Sequence, residues 1–79
     1  MARFGFDDTV RIKATAPSPL RAGALASVIM VFPENERESE YLKSFQPGTV
    51  YSVEYEDGES ADVHESDLEL IKKRDPPIR

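Results

Sequence analysis

One cluster of side chains in this sequence could carry acid–base or metal chemistry. His64 is the only histidine, and Asp62 and Glu65 lie within two residues of it. An imidazole titrates near neutral pH and can act as a general base or bind a metal beside a carboxylate. Residues i and i+2 of a strand share a face, so Asp62 and His64 are predicted to lie together on an outward face. Exposed strand residues of these types are most often hydrated surface, and we expect no catalytic or metal site there.

Other catalytic chemistries have still fewer candidates. The chain has no cysteine, which excludes thiol nucleophiles, disulfides and Cys-ligated metal centres. Ser60 and Ser66 belong to no nucleophile motif. A calcium loop with Gly58 at its sixth position would begin at Val53, whose side chain offers no oxygen to a metal. We therefore expect a protein that is not an enzyme and that needs no cofactor or metal.

Length and composition point to a single small domain. A chain of 79 residues buries only about 60–65% of its unfolded surface, too little for a deep substrate cavity. The longest apolar run, residues 22–32, is too short to span a bilayer, and the first residues do not open a signal peptide. These features predict a soluble, cytoplasmic protein with no membrane partner.

The net charge of -5 is unevenly distributed. Residues 1–33 carry four basic and two acidic side chains, residues 34–71 carry two basic and twelve acidic ones, and residues 72–79 carry four basic and one acidic. An acidic block of this kind repels phosphate backbones and favours a basic partner surface. The alternative is a solvated acidic face that only keeps the protein in solution.

Two strands are predicted in the first half of the chain. Residues 9–14 alternate apolar and polar side chains, which predicts a strand that buries Val10 and Ile12. Two prolines within residues 16–19 end it. Residues 27–32 are apolar on both faces, as expected for a strand in the middle of a sheet.

The next segment, residues 34–46, forms an insertion of less regular pattern. Its apolar residues have the spacing of one short helical turn: Tyr41, Leu42 and Phe45. Asn35 could cap this turn, with Glu38 three residues later in a capping-box-like arrangement. A solvated loop pinned by the two aromatic side chains is the alternative.

The last hairpin has the clearest register. A two-residue loop would set Val53 opposite Asp62, whereas a three-residue loop over residues 56–58 sets Val53 opposite Ala61. Only the longer loop keeps the apolar residues on one face, and it also pairs Tyr55 with Glu59 and Tyr51 with Val63. We predict a type I turn followed by Gly58 in the left-handed region.

The chain is predicted to end in a tight turn, a short strand and a tail. Residues 65–68 have the pattern of a single helical turn, and residues 69–71 that of a strand. The domain is therefore expected to cover residues 1–71, and residues 72–79 to form a basic flexible tail.

The hairpin residues carry a resemblance to a known class of domain. Residues 51–58 (YSVEYEDG), followed by Val63, Glu65 and Leu68, resemble the last hairpin of SH3-like barrels, including Tudor and KOW modules. Residues 3–12 (RFGFDDTVRI) look like the first strand of such barrels. Joined to this hairpin, that opening is similar to small bacterial immunity proteins that are thought to neutralise polymorphic toxins. The resemblance implies a mostly β fold, namely a small SH3-like five-stranded barrel with a helical or loop insertion at 34–46.

The function predicted from these features is non-catalytic protein binding through an acidic face. Acidic side chains steer association with a basic partner, as an immunity-type inhibitor of a basic toxin would require. The predicted partner-binding residues are Glu54, Glu56, Asp57, Glu59, Asp62, Glu65 and Asp67.

The alternative function is nucleic-acid binding through a basic edge, as in KOW-like modules. If the first and last strands pair, as they do in SH3-like barrels, their basic residues would lie together. The net charge of -5 weighs against nucleic acid as the partner. The residues of this alternative site are Arg11, Lys13, Arg21, Lys72 and Lys73.

The aromatic residues have two interpretations. Tyr51 and Tyr55 share the core-facing register of Val53, which favours core packing over an aromatic cage for methylated cations. Phe4 and Phe6 are expected to cover the open end of the barrel.

Overall fold

The computed structural model describes residues 3–74 as one antiparallel sheet with little helix. Five strands pair in the order β4-β3-β2-β1-β5. They are β1 (Thr9–Ile12), β2 (Leu25–Phe32), β3 (Val50–Tyr55), β4 (Ser60–His64) and β5 (Leu68–Lys72). The helical segments are 3-10 turns at Glu34–Glu36 and Glu65–Asp67 and one α-helical turn, α1 (Glu40–Lys43). The predicted mostly β class, with five strands, is confirmed.

The first two strands follow their sequence pattern closely. Val10 and Ile12 are fully buried, whereas Arg11 is exposed. β2 is the central strand, as predicted. It pairs with β1 only through residues 25–27, and its register with β3 shifts between Val28 and Met30.

Burial of both faces of β2 was expected and is wrong for the second half of the strand. Ile29 and Met30 are exposed, the latter by 53%. Among residues 3–74, the part of β2 after Ser27 pairs with β3 on one side and with no strand on the other. The apolar residues on both faces of β2 therefore correctly predicted that the strand is central in the sheet. They did not show that other segments would cover both faces along its whole length.

The last hairpin has the predicted register. Val53 lies opposite Ala61, and Gly58 has a φ of 90°. The Tyr55 N–H donates to the Glu59 carbonyl at 2.8 Å, and the Gly58 N–H donates to the Tyr55 carbonyl at 3.0 Å. These two bonds close a three-residue loop with a left-handed final residue, so the predicted loop length and the left-handed Gly58 are confirmed.

The main core lies on one face of the sheet, and Tyr51 occupies its centre. The Tyr51 ring is fully buried and meets the Phe4 ring edge-on at 5.2 Å between centroids. Its hydroxyl accepts hydrogen bonds from the backbone N–H groups of Arg3 and Phe4, at 2.8 and 3.1 Å. The prediction that Tyr51 and Tyr55 belong to the core is confirmed. Phe6, expected to cover the open end of the barrel together with Phe4, is instead 59% exposed.

The β2–β3 connection (residues 33–49) is ordered by its own hydrogen bonds. The helical alternative for this segment is confirmed in α1, but the cap is Ser39 and not Asn35. Ser39 has extended backbone angles, and its hydroxyl accepts from the Leu42 N–H at 3.1 Å. Asn35 lies in the preceding 3-10 turn, which has no side-chain cap.

Arg37 holds this connection together from inside. Arg37 is 7% exposed although it sits in a highly charged run, residues 34–40. Its guanidinium donates five hydrogen bonds of 2.6–3.1 Å to four backbone carbonyls, those of Leu42, Phe45, Gln46 and Gly48. A buried cation thus satisfies the Phe45, Gln46 and Gly48 carbonyls that follow α1, and it adds to the local N–H donors of the Leu42 carbonyl.

The end of the described chain is attached to its beginning. The 3-10 turn at Glu65–Asp67 and the strand β5 confirm the predicted turn and last strand, and β5 pairs with β1. β5 includes Lys72, the first residue of the predicted tail. Residues 75–79 of that tail lie outside the described residues. No helix among residues 3–74 is long and apolar enough to cross a membrane.

Asp8 makes the attachment. Its buried carboxylate accepts hydrogen bonds from the backbone N–H groups of Gly5 and Arg74, both at 2.8 Å, and Lys73 Nζ lies 3.6 Å away. Burial alone would raise the pKa of Asp8, but these hydrogen bonds and the Lys73 charge outweigh it and hold the pKa below its ordinary value. The charged carboxylate is therefore the form that stabilises the fold.

Asp8→Asn is expected to lower the free energy of unfolding at pH 7 by about 1–2 kcal/mol, because the Gly5 and Arg74 N–H groups bond to different carboxylate oxygens. The single amide oxygen of asparagine can keep one of these hydrogen bonds, as a neutral one, and its NH2 group cannot accept the other. A depressed folded-state pKa contributes stability above the unfolded-state pKa, and this stability is lost as the pH falls through the folded-state value. The difference between wild type and variant should therefore shrink below about pH 4, measured by urea unfolding. Asp7→Asn is the matched control, since Asp7 is exposed and asparagine tolerates its φ of 71°. A wild-type advantage over Asp8→Asn that is constant down to pH 2 would contradict this role.

Candidate protein-binding site

A cleft of about 440 Å³ runs along β4 on the side away from β3. Four consecutive strand residues, Ala61 to His64, line it, and consecutive residues of a strand point to opposite faces. The cleft therefore follows the edge of the strand and not one face of the sheet. The other walls come from the β1–β2 loop, the β2–β3 connection and the last 3-10 turn: Pro17, Ser18, Pro19, Leu20, Tyr41, Phe45, Gln46 and Asp67.

The charge of the cleft has one sign. Asp62 and Asp67 both line it, and no lysine or arginine does so among the described residues. The Asp62 carboxylate accepts a hydrogen bond from the Ser52 hydroxyl on the neighbouring strand. Because Ser52 and Asp62 are register partners, this bond fixes the carboxylate on the outer face.

An aromatic pair stands beside these acids. The rings of Tyr41 and Phe45 meet edge-on, with centroids 5.4 Å apart, and Tyr41 is 56% exposed. Slight burial, the negative charge of Asp62 and a hydrogen bond to that carboxylate raise the pKa of the Tyr41 phenol. An exposed ring face next to a fixed carboxylate is a favourable site for an organic cation.

His64 lies on the predicted face, but the expectation of a hydrated surface histidine is wrong. The side chain is only 7% exposed because the β2–β3 connection covers it. Nε2 donates to the Pro47 carbonyl at 2.8 Å, and Nδ1 accepts from the Ser66 N–H at 3.1 Å. These partners define the Nε2–H tautomer of a neutral imidazole. His64 thus caps the last 3-10 turn and anchors the connection.

The seven predicted partner-binding acids do not form one cluster. Asp62 and Asp67 share the cleft, and Glu54 stands on the outer face between Ser27 and Ser60. Glu65 begins the last 3-10 turn, at the far end of β4 from the hairpin tip (residues 56–59). The tip carries the remaining three, Glu56, Asp57 and Glu59.

One tip acid is already paired within the protein. Asp57 Oδ2 lies 2.9 Å from Arg21 Nη1, and the Arg21 guanidinium lies over the Tyr55 ring at 4.5 Å. A hydrogen bond from the Glu59 N–H and another from Arg21 lower the pKa of Asp57. A predicted partner-binding residue and a predicted nucleic-acid-binding residue therefore bind each other.

The five basic residues of the alternative site are also dispersed. β1 and β5 pair, but Arg11 lies opposite Glu69 and Lys72 opposite Thr9. Lys73 lies against Asp8 and Arg21 against Asp57. Lys13 follows β1, where its N–H donates to the Asp67 carbonyl at 2.8 Å. The arrangement intersperses acids among the bases that a nucleic-acid groove would need to align.

The sequence did not indicate that Tyr41, Phe45 and the proline-rich part of the β1–β2 loop would meet at β4. Pro17 and Pro19 were assigned only to the end of a strand, and the two aromatic residues only to a local turn. The one signal that could have indicated this meeting is that the prolines lie in the connection before β2 and the aromatic residues in the connection after it.

Comparison of the chain with protein-family models, curated proteins and solved structures finds no match.

Proposed function

We propose that this protein is a non-catalytic protein-binding module of the SH3-like barrel class, and that its cleft receives basic side chains of a protein partner. The observation that carries the proposal is the convergence of Asp62, Asp67 and the ring of Tyr41 in one cleft, which no lysine or arginine of residues 3–74 lines. A lysine or arginine that enters gains a carboxylate partner and an aromatic face together.

Three features of the fold support the barrel class. The first and last strands pair, the strand order is β4-β3-β2-β1-β5, and a 3-10 turn directly precedes β5. The resemblance of residues 51–58 to the last hairpin of such barrels agrees with the observed three-residue loop.

The cleft would act on a basic partner in the manner of an immunity-type inhibitor. Residues 34–71 carry twelve acidic and two basic side chains, which accelerates encounter with a positively charged surface. The exposed acids Glu54, Glu56 and Glu59 would then steer the partner, while Asp62 and Asp67 would contact it.

The double substitution Asp62→Asn with Asp67→Asn tests the cleft. Titration with a fluorescently labelled hexa-arginine peptide at low ionic strength should show affinity reduced about tenfold, since two charge-assisted contacts are lost. Asparagine keeps the shape of both side chains and can still accept the Ser52 hydrogen bond.

The matched control is Glu56→Gln with Glu59→Gln, which changes the net charge equally at the hairpin tip. Long-range attraction alone would weaken peptide binding to the same extent in both double variants, and that result would reject the cleft as the site. Stronger binding of a single-stranded DNA oligonucleotide than of the peptide would favour the nucleic-acid alternative.

A further inference from the structure

The open edge of β4 presents unpaired backbone groups to the cleft. Among residues 3–74, β4 pairs only with β3 and ends the sheet on that side. In an antiparallel ladder, residues alternately exchange hydrogen bonds with the neighbouring strand and point their N–H and C=O groups the other way. The phase of this alternation decides which residues can accept a further strand.

Two observed bonds fix the phase. The Tyr55 N–H donates to the Glu59 carbonyl at one end of β4, and the Glu65 N–H donates to the Thr49 carbonyl at the other, at 2.8 and 2.9 Å. Counting inward by twos, Ala61 and Val63 bond to β3. Ser60 and Asp62 therefore direct their N–H and C=O groups to the open side.

The two prolines of the opposite wall do not pair with these groups. Pro17 and Pro19 have no N–H to donate, and the Pro17 carbonyl already accepts from the Leu20 N–H at 3.0 Å. The exposed edge at Ser60 and half-exposed Asp62 thus remains available to another chain. Toward the end of β4 the edge is covered, because His64 is buried.

We propose that an extended basic segment of the protein partner binds by adding a strand to β4 at Ser60–Asp62. This inference rests on the proposed function and specifies its mode of recognition. A partner residue opposite Asp62 would exchange two backbone hydrogen bonds with it and place its side chain on the same face as the Asp62 carboxylate. The same partner residues therefore supply both the backbone pairing and the positive charge, and the residues between them point to the other face.

Because the basic partner residues are also the ones whose backbone amides face β4, peptides with methylated backbone amides can test the proposal. The probe is a capped peptide of alternating arginine and valine, and two variants carry N-methyl groups on all arginine amides or on all valine amides. Methylation of the arginine amides should reduce affinity at least about tenfold, because those amides face β4. Methylation of the valine amides should change affinity less than about twofold, since those amides face solvent.

Hydrogen exchange provides a second readout on the protein. Addition of the unmethylated peptide should slow exchange of the Ser60 and Asp62 amides and leave those of Ala61 and Val63, which already bond to β3, unchanged. Equal effects of the two methylations, or no added protection at Ser60 and Asp62, would overturn strand addition.

The outcomes separate this inference from the proposed function. If the peptide binds, Asp62→Asn with Asp67→Asn weakens it, and both methylated peptides still bind alike, the cleft is the site but the partner does not add a strand. If the cleft and hairpin-tip double variants bind the unmethylated peptide equally, the proposed function fails. A peptide that does not bind at millimolar concentration overturns both.

Discussion

Arg37→Met is expected to lower the free energy of unfolding by about 3 kcal/mol, the largest effect that we expect from a single polar side chain here. The substitution keeps an unbranched side chain in the buried space but removes donors from four carbonyls. Each buried acceptor left without a partner costs about 1–3 kcal/mol. Local opening of the β2–β3 connection lets water reach these carbonyls and limits the total loss.

Arg21→Met is the matched control for this substitution. Arg21 pairs with Asp57 and lies over the Tyr55 ring, and its side chain is 45% exposed. Exposed ion pairs contribute about 0–1 kcal/mol, so the control should lose no more than that. Urea unfolding measures both variants. Similar losses in the two would show that Arg37 acts as an ordinary surface charge.

The Arg37 substitution should also weaken the binding site. Tyr41 and Phe45 reach the cleft from the segment that Arg37 holds, and the Phe45 carbonyl accepts from its guanidinium at 2.6 Å. Loosening of the segment should accelerate amide exchange across residues 40–48 and reduce affinity for the arginine peptide. Unchanged exchange in this segment would contradict the assigned role.

Gly48→Ala is expected to cost about 2–3 kcal/mol, because backbone strain and crowding act at the same position. Gly48 has a φ of 127°, a conformation that L residues rarely adopt. An added Cβ would lie 2.6 Å from Glu65 Oε2 and 2.7 Å from Nε2 of the buried His64. The glutamate side chain can turn away, but the imidazole would have to move from the Pro47 carbonyl.

Gly23→Ala separates the two contributions. Gly23 also has a positive φ, 85°, but an added Cβ there has no neighbouring atom within 4 Å. This control should lose only about 1–2 kcal/mol, the cost of a left-handed backbone. Thermal or urea unfolding gives the difference between the variants. Equal destabilisation of the two variants would mean that crowding of His64 by the added Cβ at position 48 does not contribute to the loss of stability.

The sequence pattern was sufficient to predict those features that depend on residues close together in the chain. Alternation placed Val10 and Ile12 inward in β1, and apolar matching selected the three-residue hairpin loop over the two-residue one. A strand's side-chain period of two and the left-handed preference of Gly58 contain this information directly. The same reasoning assigned Tyr51 and Tyr55 to the core.

The sequence pattern was not sufficient to predict the environment of a side chain that is buried by, or forms an ion pair with, a residue far away in the chain. His64 was assigned to the correct face, but alternation does not reveal that residues 46–48 cover that face. Arg37 lies among glutamates, a pattern typical of a solvated charge, but it is buried and donates to backbone carbonyls up to eleven residues away. Asp57 was grouped with the partner-binding acids, yet Arg21 neutralises it across 36 positions of sequence.

The sequence by itself determined that this protein is mostly β, that its last hairpin has one register, and that its acidic residues concentrate after residue 33. Only the tertiary structure decided which of those acids act together. It brought Asp62 and Asp67 to the edge of β4 beside Tyr41, and it separated them from the acids of the hairpin tip. The physical reason is that periodicity specifies the face of a strand, whereas a cleft forms where three connections meet, and their meeting depends on contacts between residues far apart in the chain.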